Sequence, residues 1–563
     1  MAAGGGVRAA LSTETPSWAV RIRGADGEIA GAGILLSPDR VLTCAHVVDR
    51  AAERITAEFV GAAGGTVTAV PARVDACVPQ TLDADRDPSG DVALLRLERP
   101  RPAGEAVRLH RLSAPGREVR MYGFPHDHTG GVWFRATVVG GRGRDGQVQL
   151  APTGPGEPDS PGCSGAGVAD SRTGEVIGMV LSALRDRHGN LFSLMSPAET
   201  IVRHLPQVHR WTAGRTAVDD RLKSTEGDAS AELLDEPFAQ RLAAWLRDDG
   251  QQVKISVVRR GDGARAATLR RAITLADREL RTGDSVERAS LESPETVPSA
   301  GGHDLAVDAA GLTAAEIAER IAERMGLWQH PAGSALDRIA AADVTLTLVV
   351  VGVDEAADPP ALLELLDVLR ARGSRLLLVF RADGACHRRA RSQLVTEPLR
   401  ARRARLVERL REVTGPLART FHERRAVVVP DGIRPLDGDL VAAHAALADL
   451  ARDGPGPGPD LARYERLAER VAARLTRAVG RLDRLHDRRE ELRGRLRSYH
   501  VLHQRSLQGE EDPAVDALYL RAHELLQAAP CDVRAAEAAV DAYTHRVDRH
   551  DGQRQNQGGG SSS

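Results

Sequence analysis

The first third of the chain alternates short apolar runs with turn-forming residues. Between residue 17 and about residue 205 the runs include WAVRI, GAGILLS, RVLTCAHVV, VALLRL, EVRMYGF and EVIGMVLSAL, and Gly, Pro and Asp separate them. Many short β-rich runs with turn signals between them are typical of antiparallel sheets in a barrel or sandwich. The pattern therefore predicts an all-β domain over residues 17–211, preceded by a flexible N-terminus at 1–16.

The pattern changes after residues 212–236, which are polar and predict a linker. Beyond them, apolar runs such as KISVV, VTLTLVVVGV and SRLLLVF alternate with amphipathic helical patterns such as AAEIAERIAERMGL. Continuous apolar strands interleaved with such helices indicate a parallel sheet covered on both faces. We predict an α/β domain over 237–453, with RAVVVP at 425–430 as a further strand, and a Gly/Pro-rich linker at 454–460.

A 3-4 repeat of apolar positions begins at Leu461 and continues to Tyr499, broken at Arg489. A repeat of this length indicates a coiled coil, or equally a helical hairpin that packs on its own neighbours. Two shorter helical patterns follow and supply such neighbours. We predict a helical or coiled-coil module over 461–550 that binds a protein partner or self-associates, and a disordered tail at 551–563.

Composition narrows the classes of function. A net charge of −2 gives no general attraction to nucleic acid or anionic membranes. The five cysteines have no CxxC spacing, so neither a disulfide framework nor a zinc site is predicted. No apolar run is long enough to span a bilayer, and the N-terminus does not have the pattern of a signal peptide. These features predict a cytoplasmic protein without nucleic-acid, membrane or metal partners.

The stretch DSPGCSGAG contains Ser164, a candidate nucleophile. A serine becomes nucleophilic when an imidazole removes its proton and a buried carboxylate holds that imidazole in the correct tautomer. The same β-rich domain offers His46 in RVLTCAHVV and Asp91 in SGDVALLRL. Taken singly, these residues have other interpretations: a core histidine, a strand cap and a turn residue. Their order along the chain, His then Asp then Ser, is one of the orders in which catalytic triads occur.

Residues 17–205 resemble the trypsin/chymotrypsin-like serine proteases, whose motifs TAAHC, DIALL and GDSGGP stand here as TCAHVV, GDVALLRL and GCSGAG. The resemblance implies a double β-barrel and serine endopeptidase activity on a protein substrate. It assigns His46, Asp91 and Ser164 as the catalytic triad. It also assigns the backbone N–H groups of Gly162 and Ser164 as the oxyanion hole.

The sequence departs from the secreted digestive members of that family at Cys163, where they have an Asp that receives a new N-terminus after zymogen cleavage. Control by zymogen cleavage is therefore not expected, and the closer resemblance is to bacterial Deg-type members. Cys163 and Cys44 flank the site, either as redox sensors or as small buried side chains. We favour the second interpretation.

Specificity is assigned by the same resemblance. The residues Ser182, Ala183 and Leu184 resemble the strand that binds the substrate backbone and lines the primary pocket. The floor of that pocket falls on Asp159, which would favour Arg or Lys, or on Pro158, which would favour a small apolar residue. We favour Pro158.

Residues 237–385 resemble the signal-transduction (STAND-type) P-loop ATPases. KISVVRRGDGARAATLRRAI has the strand and the glycines Gly261 and Gly263, but Ala264 and Arg265 stand where the P-loop has Lys and Ser/Thr. We therefore predict no bound cofactor, although ATP binding stays an alternative. Asp354 and Glu355, which resemble the acidic end of a Walker B strand, are not assigned as metal ligands.

Together these patterns and the two resemblances predict a multidomain chain: an all-β double β-barrel, an α/β parallel-sheet P-loop-like domain and an α-helical or coiled-coil C-terminus. Such an architecture resembles bacterial conflict or defence proteins. We predict a regulated effector protease that cleaves a partner protein. The alternatives are a latent protease-fold adaptor that acts through its C-terminal helices, and a nucleotide-binding signalling ATPase.

Overall fold

The computed structural model describes most of the chain, in two compact units that span Met1–Val395 and Thr396–Ser563. The described residues are 15–51, 54–61, 66–83, 86–111, 116–125, 127–153, 162–185, 191–224, 234–282, 293–328, 333–431, 445, 461–506 and 512–558.

The first barrel closes through the strand order β1-β2-β3-β8-β5-β4. Its elements, with the short β6–β7 pair beside it, are β1 Ala19–Arg23, β2 Ile29–Ser37, β3 Arg40–Thr43, α1 Ala45–Ala51, β4 Ile55–Phe59, β5 Thr68–Val78, β6 Thr81–Leu82, β7 Pro88–Ser89 and β8 Val92–Leu97. The apolar runs of the sequence fill its interior, where Ile34, Leu42 and Leu94 are fully buried. The barrel therefore forms because each run can bury its apolar face without leaving a free sheet edge.

The second barrel lies in an eight-stranded sheet with the order β13-β10-β11-β12-β15-β14-β9-β16, closed by a β13–β14 pairing. Its elements are β9 Leu109–His110, β10 Glu118–Gly123, β11 Val132–Arg142, β12 Gln147–Pro152, β13 Gly167–Asp170, β14 Val176–Arg185, β15 Leu191–Pro197, α2 Ala198–His204 and β16 Thr212–Ala213. Two closed six-stranded barrels confirm the predicted double barrel.

Residues 212–224 pack against the α/β domain, although the sequence predicts a linker at 212–236. Val218 forms a parallel bridge with Ala306. Val218 and Leu222 are buried in the same apolar core as Trp245. Backbone hydrogen bonds of Ala217 and Asp219 with Ala306, and the ion pair of Asp219 with Arg320 at 2.6 Å, add to these apolar contacts and explain the difference. Residues 225–233 lie outside the described residues.

A four-stranded parallel sheet with the order β17-β20-β19-β18 follows, as the alternating pattern predicts. Its elements are α3 Glu236–Leu246, β17 Val253–Val257, α4 Gly263–Ala276, β18 Leu305–Asp308, α5 Ala314–Arg324, α6 Ala335–Ala341, β19 Thr347–Val351, α7 Pro359–Ala371, β20 Arg375–Phe380 and α8 Ala385–Arg391. Leu348 and Val350 pack into one core, and Val349 and Val351 into another. Both faces of the sheet are therefore covered.

The second unit consists of long helices, which are α9 Glu397–Val427, α10 Leu461–Ser506, α11 Pro513–Gln527 and α12 Val533–Gly558. Among the described residues, no helix combines the length and the apolar character needed to cross a membrane. The apolar positions of α10, among them Val471, Leu482 and Leu496, pack with the other three helices into one core. The buried Arg489, which breaks the apolar repeat, donates to the carbonyl of Leu526 at the end of α11. These contacts are those of a helix that packs on its own neighbours.

Helix α9 changes one predicted boundary. The sequence assigns residues 237–453 to the α/β domain, but Phe421 and Val428 share the core of the C-terminal helices. The predicted strand at 425–430 is wrong: α9 continues to Val427, and Val428 forms only an isolated bridge with Cys531. A run of valines has high β-propensity, but packing on α10 decides its structure.

Alanine in place of Leu482 is expected to lower the free energy of unfolding of the helical unit by about 3 kcal/mol, because it leaves a cavity in the core. The Leu482 side chain is 0% exposed. Leu502 lies on the same helix and is 57% exposed, so Leu502→Ala is the matched control and should cost under about 1 kcal/mol. Urea unfolding followed by circular dichroism checks both. Equal losses for the two variants would contradict the packing described here.

Candidate active site

His46 lies in the first turn of α1, directly after strand β3. The strand ends at Thr43, whose hydroxyl donates to the carbonyl of Ala32 at 2.7 Å. The following Cys44 and Ala45 are buried, so the chain turns back into the barrel and leaves the His46 side chain 27% exposed. The imidazole of His46 is therefore partly exposed to solvent.

Asp91 lies immediately before strand β8, and its residue is only 2% exposed. Strands β3 and β8 pair with Thr43 opposite Ala93, which brings Asp91 next to the start of α1. One carboxylate oxygen accepts the backbone N–H of His46 at 3.0 Å. The other lies 2.8 Å from Nδ1 of the His46 ring. The structure therefore brings His46 and Asp91 together as the sequence predicts.

Ser164 lies in the loop between β12 and β13 of the second barrel, and it is half-buried. Its carbonyl accepts the backbone N–H of Ala32 in the first barrel at 2.7 Å. The next residue, Gly165, donates its N–H to Val180 of β14 at 2.8 Å. These bonds attach the loop to both barrels. Among the described residues no hydrogen bond joins the Ser164 hydroxyl to the His46 ring, a contact that in many enzymes tightens only when substrate binds.

Gly162 has a backbone conformation that favours glycine, with φ of +112°. A Cβ at this position would lie 2.0 Å from the carbonyl oxygen of Phe124. The Gly162 carbonyl accepts the N–H of Phe124 at 3.2 Å, whereas the N–H groups of Gly162 and Ser164 have no acceptor among the described residues.

Cys44 and Cys163 are buried beside these residues. Burial raises the pKa of the Cys163 thiol to about 12. Burial and the nearby charge of Asp91 raise the pKa of the Cys44 thiol well above its ordinary value. Cys44 Sγ lies within 4.8 Å of ligand atoms of His46 and Asp91, but it donates to the carbonyl of Val180 at 3.3 Å. Both cysteines therefore have the environment of small buried side chains.

Iodoacetamide at pH 8 is expected to alkylate the exposed Cys77 well before Cys44 or Cys163. The thiolate is the reactive form, and burial keeps the two site cysteines protonated and covered. Peptide mass spectrometry after a time course checks this order, with Cys77→Ser as the control that removes the early adduct. Alkylation of Cys163 as fast as that of Cys77 would contradict it and would favour a redox-sensing role.

The predicted specificity residues are only partly visible. Ser182 is half-buried on β14, next to an irregularity in its pairing with β15, and Leu184 of the same strand pairs with Phe192. Asp159 and Pro158 lie outside the described residues. The assignment of the pocket floor therefore stays a prediction.

The residues that resemble a nucleotide site contact other protein groups. Arg265 forms an ion pair with Asp235 at 2.8 Å. Asp354 accepts the backbone N–H groups of Arg381 and Ala382. Glu355 pairs with Arg260 at 2.7 Å.

Sequence reasoning did not single out the residue before Asp91. Gly90 has a φ of +82°, and Asp91 itself has a φ of +65°, so two consecutive residues take the left-handed conformation. A Cβ on Gly90 would lie 2.6 Å from the carbonyl oxygen of Pro79. The string SGD before a buried strand was the available signal, because Gly is the residue that takes this conformation without strain.

Comparison with solved structures finds serine proteases of low sequence identity. The MamO protease domain from Magnetospirillum magneticum is 17% identical and covers 34% of this chain and 97% of its own, with a TM-score of 0.27. A serine endoprotease from Yersinia pestis is 18% identical and covers 35% of this chain and 64% of its own, with a TM-score of 0.26. Mouse neuropsin is 14% identical and covers 35% of this chain and 94% of its own, with a TM-score of 0.29. None of the curated proteins compared with the chain matches it.

A family model gives the more specific result. Residues 31–179 match the trypsin-like peptidase domain. The matched segment begins in β2 and ends in β14, so it includes strands of both barrels. It also contains His46, Asp91 and Ser164. The N-terminal double barrel of this chain is therefore similar to the trypsin-like peptidase domain over residues 31–179.

Proposed function

We propose that the protein is a serine endopeptidase in which His46, Asp91 and Ser164 act as the catalytic triad. The match to the trypsin-like peptidase domain supports the reaction class. The observation that carries the proposal is the contact of Asp91 with both the backbone N–H and the ring Nδ1 of His46. A buried carboxylate in this position fixes the imidazole with its proton on Nδ1 and its lone pair on Nε2.

The proposed mechanism assigns one task to each group. Nε2 of His46 takes the proton of the Ser164 hydroxyl as the oxygen attacks the peptide carbonyl, and then gives that proton to the leaving amine. Asp91 stabilises the imidazolium formed between these steps. The N–H groups of Gly162 and Ser164 donate to the oxyanion of the tetrahedral intermediate, and water hydrolyses the acyl-enzyme in a second cycle of the same transfers.

We further propose that the peptidase is a cytoplasmic, regulated effector in a signalling or defence system, with a protein as its substrate. The support is its fusion to an α/β domain and to a helical unit that a digestive protease does not need. The helical unit would bind the partner or a second copy. We propose no nucleotide cofactor, because the loop has Ala264 in place of the P-loop lysine and Arg265 pairs with Asp235.

Cleavage of casein, together with self-cleavage, tests the proposal. Wild-type protein should cleave, and Ser164→Ala should be inactive because it has no nucleophile. Ser171→Ala, in the turn between β13 and β14, is the matched control and should cleave as wild type does. Equal cleavage by wild type and Ser164→Ala would contradict the assignment of Ser164 as the nucleophile. Absence of cleavage by wild type in every condition would favour the adaptor.

A further inference from the structure

A turn of the second barrel forms hydrogen bonds with the segment that contains the left-handed pair Gly90 and Asp91. Asp145 lies in the β11–β12 turn and is 6% exposed. One of its carboxylate oxygens accepts the Ser89 hydroxyl at 2.8 Å, and the other accepts the backbone N–H of Gly90 at 3.3 Å. Gln147, two residues further on, donates to the carbonyl of Pro88 at 3.2 Å. The turn therefore binds the three residues that lead into Asp91.

This contact matters because a non-glycine residue in the left-handed conformation is strained. Asp91 has a φ of +65°, and such a conformation persists only where the surroundings fix it. The Ser89 hydroxyl and the Gly90 N–H precede Asp91 in the chain, and both donate hydrogen bonds to the Asp145 carboxylate. Loss of that carboxylate would free the segment to relax and would move Asp91 away from His46.

Asp145 is itself held by a guanidinium and an imidazole. Arg203 and His204, at the end of α2, both contact its carboxylate, with Nε2 of His204 at 2.9 Å from Oδ1. Burial raises the pKa of Asp145, but the hydrogen bond from His204 and the charge of Arg203 outweigh it, so the pKa lies below its ordinary value. Asp145 is therefore an anion that can accept two hydrogen bonds from the Ser89–Gly90 segment.

The α/β domain contacts the same turn and the same helix. Nε of Arg278, just after α4, donates to the carbonyl of Gly146 at 3.1 Å. Arg324 at the end of α5 pairs with Glu199 of α2 at 2.6 Å, and both side chains are at least nine-tenths buried. A further N–H of Arg324 donates to the carbonyl of Arg111 at 2.7 Å. The β11–β12 turn thus lies between the α/β domain and the segment that carries Asp91.

We propose that Asp145 is a positioning residue for the catalytic Asp91. The α/β domain, through Arg278, keeps Asp145 in place, and peptidase activity therefore depends on the α/β domain. The inference rests on the proposed peptidase function. It connects the α/β domain to the triad by contacts that are all buried or half-buried: Arg278, Gly146, Asp145, Ser89, Gly90 and Asp91. It gives the α/β domain a role that needs no nucleotide.

Ser89→Ala in the full-length chain is the primary test, because it removes one hydroxyl and leaves the contacts of Asp145 with Arg203 and His204. We expect Ser164 to react about tenfold more slowly with an alkyl fluorophosphonate, since one buried hydrogen bond has an effect of about this size. We also expect the acid limb of the pH–rate profile to shift, which a merely structural defect would not cause. Ser89→Thr keeps the hydroxyl and should restore both.

The matched control is Ser37→Ala, which removes a serine hydroxyl that donates to Asp39 elsewhere in the first barrel. It should leave the rate and the profile as in wild type. Asp145→Asn should be at least as slow as Ser89→Ala. Wild-type rates and profiles in both Ser89→Ala and Asp145→Asn would overturn the proposal.

A second readout separates this proposal from the peptidase function. In protein labelled with ¹⁵N-histidine, the Nδ1–H resonance of His46, assigned by its loss in His46→Gln, reports the hydrogen bond to Asp91 whether or not Ser164 reacts. The resonance should weaken in Ser89→Ala and persist in Ser37→Ala. If Ser164 of the wild-type protein does not react with the fluorophosphonate, the proposed peptidase function fails. The His46 resonance then decides the positioning role of Asp145 by itself. An unchanged signal in Ser89→Ala would overturn that role.

The α/β end of the connection is tested with Arg278→Gln. The variant should slow labelling in the same direction as Ser89→Ala, and the double variant should lose less than the product of the two single losses, because both act through Asp145. Arg247→Gln is the matched control: Arg247 also donates to backbone carbonyls, at Pro294, Glu295 and Val297, but within the α/β domain. Purely multiplicative losses, or an equal loss in Arg247→Gln, would remove the α/β domain from the proposal.

Discussion

Asparagine in place of Asp91 is expected to lower kcat for peptide cleavage by about 10⁴-fold while the protein stays folded. In the structure Oδ1 of Asp91 accepts the backbone N–H of His46, and both carboxylate oxygens lie within 3.0 Å of Nδ1, with Oδ2 the nearer at 2.8 Å. An asparagine that keeps the bond to the backbone N–H places its NH₂ group in the position of Oδ2, nearest to Nδ1. That nitrogen then has to accept, so the ring proton moves to Nε2, and Nε2 can no longer take the proton of Ser164.

Steady-state kinetics on a peptide substrate, with the active fraction measured by fluorophosphonate labelling, checks the effect of Asp91→Asn. The control is Asp26→Asn, an exposed aspartate whose carboxylate accepts the N–H of Glu28. It carries the same change of charge and should keep wild-type kcat. A kcat for Asp91→Asn within tenfold of wild type would mean that Asp91 does not set the tautomer of His46.

Alanine in place of Gly162 is expected to lower kcat by at least about 10²- to 10³-fold, the loss that follows removal of one oxyanion donor. The backbone at Gly162 has a φ of +112°, and a Cβ would lie 2.0 Å from the carbonyl oxygen of Phe124. Since a backbone atom cannot be displaced as a flexible side chain can, the peptide must turn. Its N–H then leaves the position that faces the tetrahedral intermediate.

Gly174→Ala separates this effect from general strain at a glycine. Gly174 also has a positive φ, of +77°, but a Cβ there would meet nothing within 4 Å. That variant should lose about 1 kcal/mol of stability and keep its kcat. The KM of Gly162→Ala should change less than its kcat, because the donors act mainly on the transition state. Comparable losses of kcat in the two variants would contradict the oxyanion assignment.

The short apolar runs predicted antiparallel sheets in a barrel or sandwich, because period-two patterns and turn residues are local signals that closure of a barrel does not override. The double barrel was implied by the resemblance to trypsin-like proteases. The alternation of buried strands and helices predicted the parallel sheet in the same way. Helix α9 was missed, because the valines at 427–429 favour a strand locally while contacts with α10, over 40 residues away, decide the outcome.

In the candidate site too, residues in local motifs were predicted and residues defined only by distant contacts were not. His46 and Asp91 lie in recognisable motifs, and the pairing of β3 with β8 brings them together. Asp145 was not predicted, since its partners Ser89 and Arg203 lie 56 and 58 residues away, and separations of this kind leave no periodicity in a single sequence. Asp145 lies in no recognisable motif, so its contacts with distant segments are found only when the fold is known.

Fluorophosphonate labelling of the native protein, followed by peptide mass spectrometry, tests whether Ser164 is an activated nucleophile. We expect one adduct, on Ser164, whose formation is lost in His46→Gln and slowed in Asp91→Asn. Native wild-type protein without an adduct on Ser164, or an adduct that forms equally fast in His46→Gln, would contradict this expectation.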